Sequence, residues 1–280
     1  MLYEQRYVWL DQNSDEFIEE AAIISFGSES CTRALPNLVD FDKAIDKIRR
    51  SGKAPKLVTP RVSQRDLESI TLLLDHIVEK KMPIDIVIND WGILFYCLRH
   101  KDIFRSYLGR QLCRSLVDSP WVDNILRNED PQIHELLEKH PFDDSNKLKL
   151  FKDWELKGIE LNQVHGIEQS IFNIHSAGIK IFIHKDNYLL TAGKVCLAKK
   201  ICGNKECKYI CNIEFELEPT GKWLNFFKNQ AEFSINEKEA LSGMKVVGNK
   251  ILMPYKVHPL DIISLNTGII FTTYKRMEDM

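Results

Sequence analysis

No run of about 18 uncharged apolar residues occurs anywhere in the 280-residue chain, so no membrane-spanning helix is expected. The first 20 residues are rich in acidic side chains and have no apolar core, unlike a secretory signal. Charge of one sign is also lacking: 38 basic residues face 40 acidic ones, a formal net charge of −2. Without an overall positive field, nucleic acid and anionic membrane are poor partners, and only a local basic patch would serve them. Nucleotide signatures are missing too. No G-x-G-x-x-G follows the first expected strand, and there is no G-x-x-x-x-G-K-[S/T]. G-x-S-x-G and H-E-x-x-H are absent, and no Cys/His pair stands out locally. No repeat of 20–50 residues and no low-complexity tract is visible. The expectation is a cytoplasmic protein with no membrane association.

What is present is ordinary globular material, 44% apolar and 28% charged. A chain of this length should bury about three quarters of its unfolded surface. Length alone allows about two domains or one α/β barrel.

The hydrophobic pattern alternates between the periods of strand and helix. Residues 21–26 (AAIISF) read as a buried strand that runs into the turn-rich GSESC. Phe41, Ala44, Ile45 and Ile48 give helical spacing over 41–50, and Ser51-Gly52 stops it. Residues 56–59 make a second strand, closed by Pro60. A strong helix is expected over 63–80, capped by Ser63, with Leu67, Ile70, Leu73, Leu74 and Ile77 on one face. Strands at 84–88 and 104–108 flank a short helix at 91–98. From about Asp118 to Trp154 the chain carries Pro120, Pro131 and Pro141, and reads as an excursion with short helices packed over one rim. Strand, helix and strand follow at 158–161, 167–177 and 179–183. Beyond Ile213, short strands are expected at 213–217, 250–253, 262–265 and 269–274.

Such alternation argues for a parallel sheet, because parallel neighbours need crossover connections. The expected fold class is α/β: a TIM-like (β/α) barrel, incomplete or irregular, forming one domain over 1–280. Its core spans about 20–215, and 216–280 completes or caps it. A doubly wound open sheet is the competing arrangement. In a barrel the chemistry gathers at the C-terminal strand ends. Here those ends are polar: 28–31, Pro60-Arg61, Asn89-Asp90, Gly109-Arg110, 160–163 and His184.

Cysteine is the informative residue. Four of the seven cysteines fall together as Cys196-x5-Cys202-x4-Cys207-x3-Cys211. In a reducing compartment they are not expected to be disulfides, whereas thiolates are soft ligands for zinc or iron–sulfur iron. The spacing is neither that of paired C-x2-C knuckles nor a common ferredoxin run, so the metal stays open. The other reading is four unrelated thiols. Cys31 follows the first expected strand and would face the cysteine segment across the rim, as a remote fourth ligand. Cys97 lies in an apolar helix and reads as a core thiol, and Cys113 as a packing residue.

Three segments carry a resemblance. IISFGSESCTRA (23–34) matches a first strand followed by a G-x-x-x-C loop. IVINDWGIL (86–94) and YLGRQL (107–112) match N-D-x-G-[VAI]-L and G-R-x-L elements. IELNQVHGIEQ (159–169), with GIKIFIHKDNYLLTAGKVC (178–196), matches the strand–helix–strand that leads to a first clustered cysteine. Over about 20–215 the chain resembles the collagenase-like (U-thirty-two) peptidase family, in its small iron–sulfur members of the UbiU/UbiV type from ubiquinone biosynthesis. The resemblance implies a 4Fe–4S cluster held by Cys31, Cys196, Cys207 and Cys211, with Cys202 as an alternate for Cys196. It also implies oxygen-independent hydroxylation by a heterodimer with a paralogous subunit, acting on a small-molecule substrate. The region beyond about 215 does not match. The alternatives are a zinc- or iron–sulfur-stabilised protein whose work is to bind a partner, and a peptidase.

Five polar residues are weighed for chemistry against plainer readings. Asn89 and Asp90 close a strand, but Asp90 would equally cap the helix that follows. Arg110 would grip a carboxylate through both guanidinium edges, or join an ion pair. Glu160 would act as acid or base, or pair with an arginine. His184 would tune a cluster from behind, or be a plain loop residue. Trp91, Trp121, Trp154 and Trp223 read as packing residues.

Overall fold

The computed structural model describes residues 3–6, 21–119, 130–164, 167–185, 187–204, 206–207, 211, 213–217, 242–254, 267–272 and 275–276. It is a mixed α/β structure built on a curled sheet of seven parallel strands flanked by helices. In chain order these strands are β2 (Ile23–Gly27), β3 (Ala54–Val58), β4 (Ile84–Ile88), β5 (Phe104–Leu108), β6 (Gly158–Asn162), β7 (Lys180–His184) and β12 (Gly268–Thr272). A further short strand, β1 (Tyr3–Arg6), pairs in parallel with β12 on one side and β2 on the other. The helices are α1 (Leu38–Arg50), α2 (Leu67–Glu79), α3 (Trp91–Leu98), α4 (Pro131–Glu138), α5 (Ser145–Asp153) and α6 (Glu168–Ser176). This architecture is compatible with a TIM-like fold.

The strands are apolar on both faces because both faces are covered. In β4, Ile84, Ile86 and Ile88 point outward into the main core, against helix residues such as Phe41 and Ile48 of α1 and Leu74 of α2. The alternate residue Val87 points inward, and meets Ile23, Val58, Tyr107, Phe182 and Ile270. Each buried side chain of this size contributes roughly 1.5–3 kcal/mol relative to exposure. The inner face also holds charge. Lys56 is fully buried, its ammonium 4.0 Å from the Phe182 ring centre and 4.4 Å from that of Tyr107. Beside it in register, Asp85 accepts from Arg105 at 2.5 Å.

Local chemistry sets the element ends. Asn37 caps α1 by accepting from the Asp40 N–H at 2.9 Å, and Asp90 caps α3 through the Gly92 N–H at 2.8 Å. The α2 start differs from the sequence expectation. Ser63 donates to the Asp66 carboxylate at 2.6 Å, and the helix begins only at Leu67. In the excursion after Asp118, Asp130 and Asp144 cap α4 and α5. Trp154 packs on Phe95 and Phe151 as a packing residue should, but Trp91 is 43% exposed, on the solvent side of α3. Trp121, Trp223 and the strand expected at 262–265 lie outside the described residues.

Between β7 and β12 the chain leaves the parallel sheet to build most of a second one, completed by a short strand beyond β12. Its order is β13-β9-β10-β11-β8, formed by β8 (Asn187–Ala192), β9 (Ile213–Glu216), β10 (Lys245–Val247), β11 (Lys250–Pro254) and β13 (Lys275–Arg276). The short helix α7 (Leu197–Ile201) packs on it through Ala198, against Ile213, Phe215 and Val246. All four clustered cysteines belong to this excursion.

Candidate metal centre

Cys31 is delivered by the end of β2. Gly27 turns the chain with φ +100, a left-handed value that glycine adopts without strain. The Ser28 N–H then returns to the Val58 carbonyl at 3.0 Å. The Ser28 hydroxyl accepts from the Cys31 N–H at 3.1 Å and the Ser30 N–H at 3.3 Å, curling the loop back on itself. A single 3-10 turn (Thr32–Ala34) follows, leaving Cys31 half-buried at its N-cap position.

The clustered thiols come from the second sheet. Cys196 caps α7, its sulfur accepting from the Lys199 N–H at 3.4 Å. Cys211 is buried against Gly248, where a β-carbon would meet the Cys211 Cβ at 3.4 Å and Sγ at 3.7 Å. Cys207 is half-buried.

The four sulfurs feel one another. Burial pushes the Cys31 thiol up, and the neighbouring thiols of Cys207 and Cys196 add to that. Burial pushes Cys211 up to about 12, reinforced by Cys31, Cys196 and Cys207 and opposed by the Lys250 ammonium. The remote cysteine and the three clustered ones therefore occupy one neighbourhood. Cys31 and Cys211 line the same small cavity with Glu29, Asn249 and Lys250.

The remaining cysteines stand apart in character. Cys202 is exposed at the C-terminal end of α7, its N–H bonded to the Ala198 carbonyl at 3.0 Å. Cys97 and Cys113 are buried, and burial raises both thiols, strongly in each case. His140 bonds the Cys113 carbonyl at 3.1 Å, not its sulfur. Among the described residues, no group of three or more His, Cys, Asp or Glu side chains is arranged so that it could hold a metal ion. Sulfur donors are of the type that iron–sulfur clusters and zinc take, and two of the four, Cys31 and Cys211, line one cavity.

Beside the thiols lies a buried charge network that sequence reading missed. Arg110 donates to both Glu29 oxygens, Nε to Oε2 at 2.8 Å and Nη2 to Oε1 at 2.7 Å. Lys250 donates to Glu29 Oε1 at 3.0 Å. Arg110 also reaches the Asn162 side chain at 3.3 Å, and Gln111 donates to the Glu29 carbonyl. Arg110 thus does grip a carboxylate with two hydrogen bonds, but the carboxylate belongs to the chain itself. The network joins the loops after β2 and β5 to Asn162 of β6 and Lys250 of β11, too far apart in sequence to be paired by spacing.

The other candidates hold the strand ends. The Asn89 amide donates to the Thr59 carbonyl at 2.9 Å and accepts from the Gln111 N–H at 3.2 Å, tying three strand ends together. Asp90 caps α3 and also accepts from the Val62 N–H at 3.1 Å. Glu160 and His184 are fully buried partners, Oε2 to Nε2 at 3.1 Å, at the ends of the adjacent strands β6 and β7. His184 is therefore the last residue of a strand and not a loop histidine.

No family model matches the chain, and comparison with curated proteins and with solved structures likewise gives no match. The fold and the thiol neighbourhood thus define the chain only as a curled α/β protein with a cysteine-lined cavity at its C-terminal strand ends.

Proposed function

We propose that the chain is an iron–sulfur protein of the collagenase-like peptidase kind, a subunit of an oxygen-independent hydroxylation system of the UbiU/UbiV type. The parallel sheet, on this reading, is a complete eight-stranded TIM-type barrel closed through β1. Cys31, Cys196, Cys207 and Cys211 hold a 4Fe–4S cluster, with a paralogous subunit as partner and a small molecule as substrate. The observation that carries the reading is the neighbourhood of Cys31 with Cys196, Cys207 and Cys211, across 165 to 180 positions of chain. Unrelated thiols have no reason to meet across that separation.

A bound cluster supplies electron transfer, or a centre that positions an oxygen donor. The chain's own groups prepare the place for it. Four thiolates bring negative charge into a half-buried site, and Lys250 faces Cys211 with an opposing positive charge. Arg110 and Lys250 both pair with Glu29 beside Cys31 and Cys211. Asn89, Asp90, Glu160 and Arg110 keep the strand ends in register around the mouth, where substrate would bind.

Anaerobic purification with iron, sulfide and zinc analysis tests this directly. A brown protein with about four iron and four sulfide per chain supports the cluster. Stoichiometric zinc in a colourless protein replaces it with a metal-stapled partner-binding protein. Neither metal, with peptidase activity intact, overturns both.

A further inference from the structure

The turn between β10 and β11 carries one side chain that reaches both approaches to the thiol cavity. Asn249 is buried, with 6% of its surface exposed. Its amide nitrogen donates to the Ser30 carbonyl at 2.7 Å and to the Gly193 carbonyl at 2.5 Å. Its amide oxygen accepts from the Ser30 hydroxyl at 2.7 Å. The Asn249 carbonyl accepts in turn from the Gly193 N–H at 2.9 Å. Next to it, the Gly248 carbonyl accepts from the Ala198 N–H at 2.9 Å while the Gly248 backbone lies against Cys211. Gly248 has φ +62 and sits where a side chain would press on that cysteine.

Two consecutive residues thus touch the residue before Cys31, the segment leading to Cys196, the first turn of α7 and Cys211. Both amide hydrogens and the amide oxygen of Asn249 are used, which is most of what an asparagine offers. None of these bonds involves a sulfur, so none needs a metal.

We propose that Asn249 is the positioning residue that ties the remote and clustered cysteine segments together, so that the metal-free chain already holds Cys31 near the clustered cysteines. The geometry stands by itself; the purpose rests on the reading of the thiols as a metal centre. An outer residue that orients ligands typically changes metal affinity 10–100-fold, so Asn249→Ala is expected to weaken binding by about that factor.

The test uses the full chain stripped of metal. Dibromobimane, which joins neighbouring thiols, should link the Cys31 peptide to a peptide carrying Cys196, Cys207 or Cys211, as read by mass spectrometry. In Asn249→Ala that link should fall several-fold, and cobalt titration followed by the thiolate-to-metal absorption band should show the weakened affinity. Asn249→Asp, which keeps the Ser30 hydroxyl contact and loses both donated bonds, should lie between. If Asn249→Ala unfolds, Ser30→Ala decides, since it removes one bond only and should lower both readouts by a smaller factor. Undiminished linkage and cobalt affinity in a folded Asn249→Ala would overturn the inference, as would a metal-free wild type that gives no Cys31 link. A wild type that links but takes up neither iron nor cobalt would defeat the metal centre and leave the clamp standing.

Discussion

Glu29 and Arg110 meet through two parallel hydrogen bonds of 2.7 and 2.8 Å, both side chains 2% exposed, at the floor of the thiol cavity. The pair is not self-sufficient, because Lys250 shares the same carboxylate. Removing that negative charge takes away the carboxylate that the two buried cations share. Glu29→Gln is therefore expected to destabilise the fold by about 3–5 kcal/mol, the usual cost of breaking a buried pair. Urea denaturation measures it, and a loss below 1 kcal/mol would show that the network is solvated in solution.

Cys31→Ser should abolish iron retention under anaerobic purification while leaving the far-ultraviolet circular dichroism unchanged. Cys202→Ser should keep the wild-type iron content, since that residue is exposed on α7. Iron content per chain separates a remote-ligand site from a purely local one. Equal iron in wild type and Cys31→Ser would remove the remote ligand.

Gly27 turns the chain toward Cys31 in a left-handed conformation, and a β-carbon there would come within 2.4 Å of the Val58 carbonyl oxygen. Backbone strain of about 1–2 kcal/mol and overpacking of about 1–3 kcal/mol act together in Gly27→Ala. The expected result is a loss of about 2–5 kcal/mol by chemical denaturation, together with reduced metal binding, because the displaced loop carries the remote thiol.

Burial lowers His140 from its ordinary value of 6.5 to about 4. Its Nδ1 accepts from the Phe142 N–H at 3.1 Å and its Nε2 bonds the Cys113 carbonyl at 3.1 Å, partners that fix the neutral ring. The unfolded chain takes up this proton first as pH falls. The contribution is thus complete above about 6.5 and lost progressively down to about 4, about 2 kcal/mol of it by pH 5. Denaturation midpoints at pH 7 and pH 5 give the slope, and His140→Gln should flatten it. An unchanged slope would show that another group governs the acid side.

Much of the fold was legible because the strands are apolar on both faces and end in strong punctuation. The limits of β4, α3 and β5 follow from Asn89-Asp90 and Gly109-Arg110, and agree with the structure residue for residue. β1 was not legible: four residues, YEQR, carry no strand signal of their own and are defined by pairing with β2 and β12. β8 was missed for a similar reason, its partner β11 coming from a distant segment, and β10 because three residues are too few to show a period. At the site, cysteine spacing pointed to the thiols. The Glu29–Lys250 contact, spanning 221 positions, left no trace that a local pattern could carry. Arg110 was singled out for a carboxylate and found one, but the identity of that carboxylate is a property of the folded chain.

The cysteine-bearing sheet is inserted ahead of β12, the strand that lies between β7 and β1. A chain growing from the ribosome displays Cys31 early and the other three long before Gly248 and Asn249 appear. Gathering of the sulfurs and completion of the parallel sheet are consequently successive events in biosynthesis. Any chain cut short before that turn would carry scattered, accessible thiols open to oxidation. Loading of the proposed centre would thereby wait until Gly248 and Asn249 have been made.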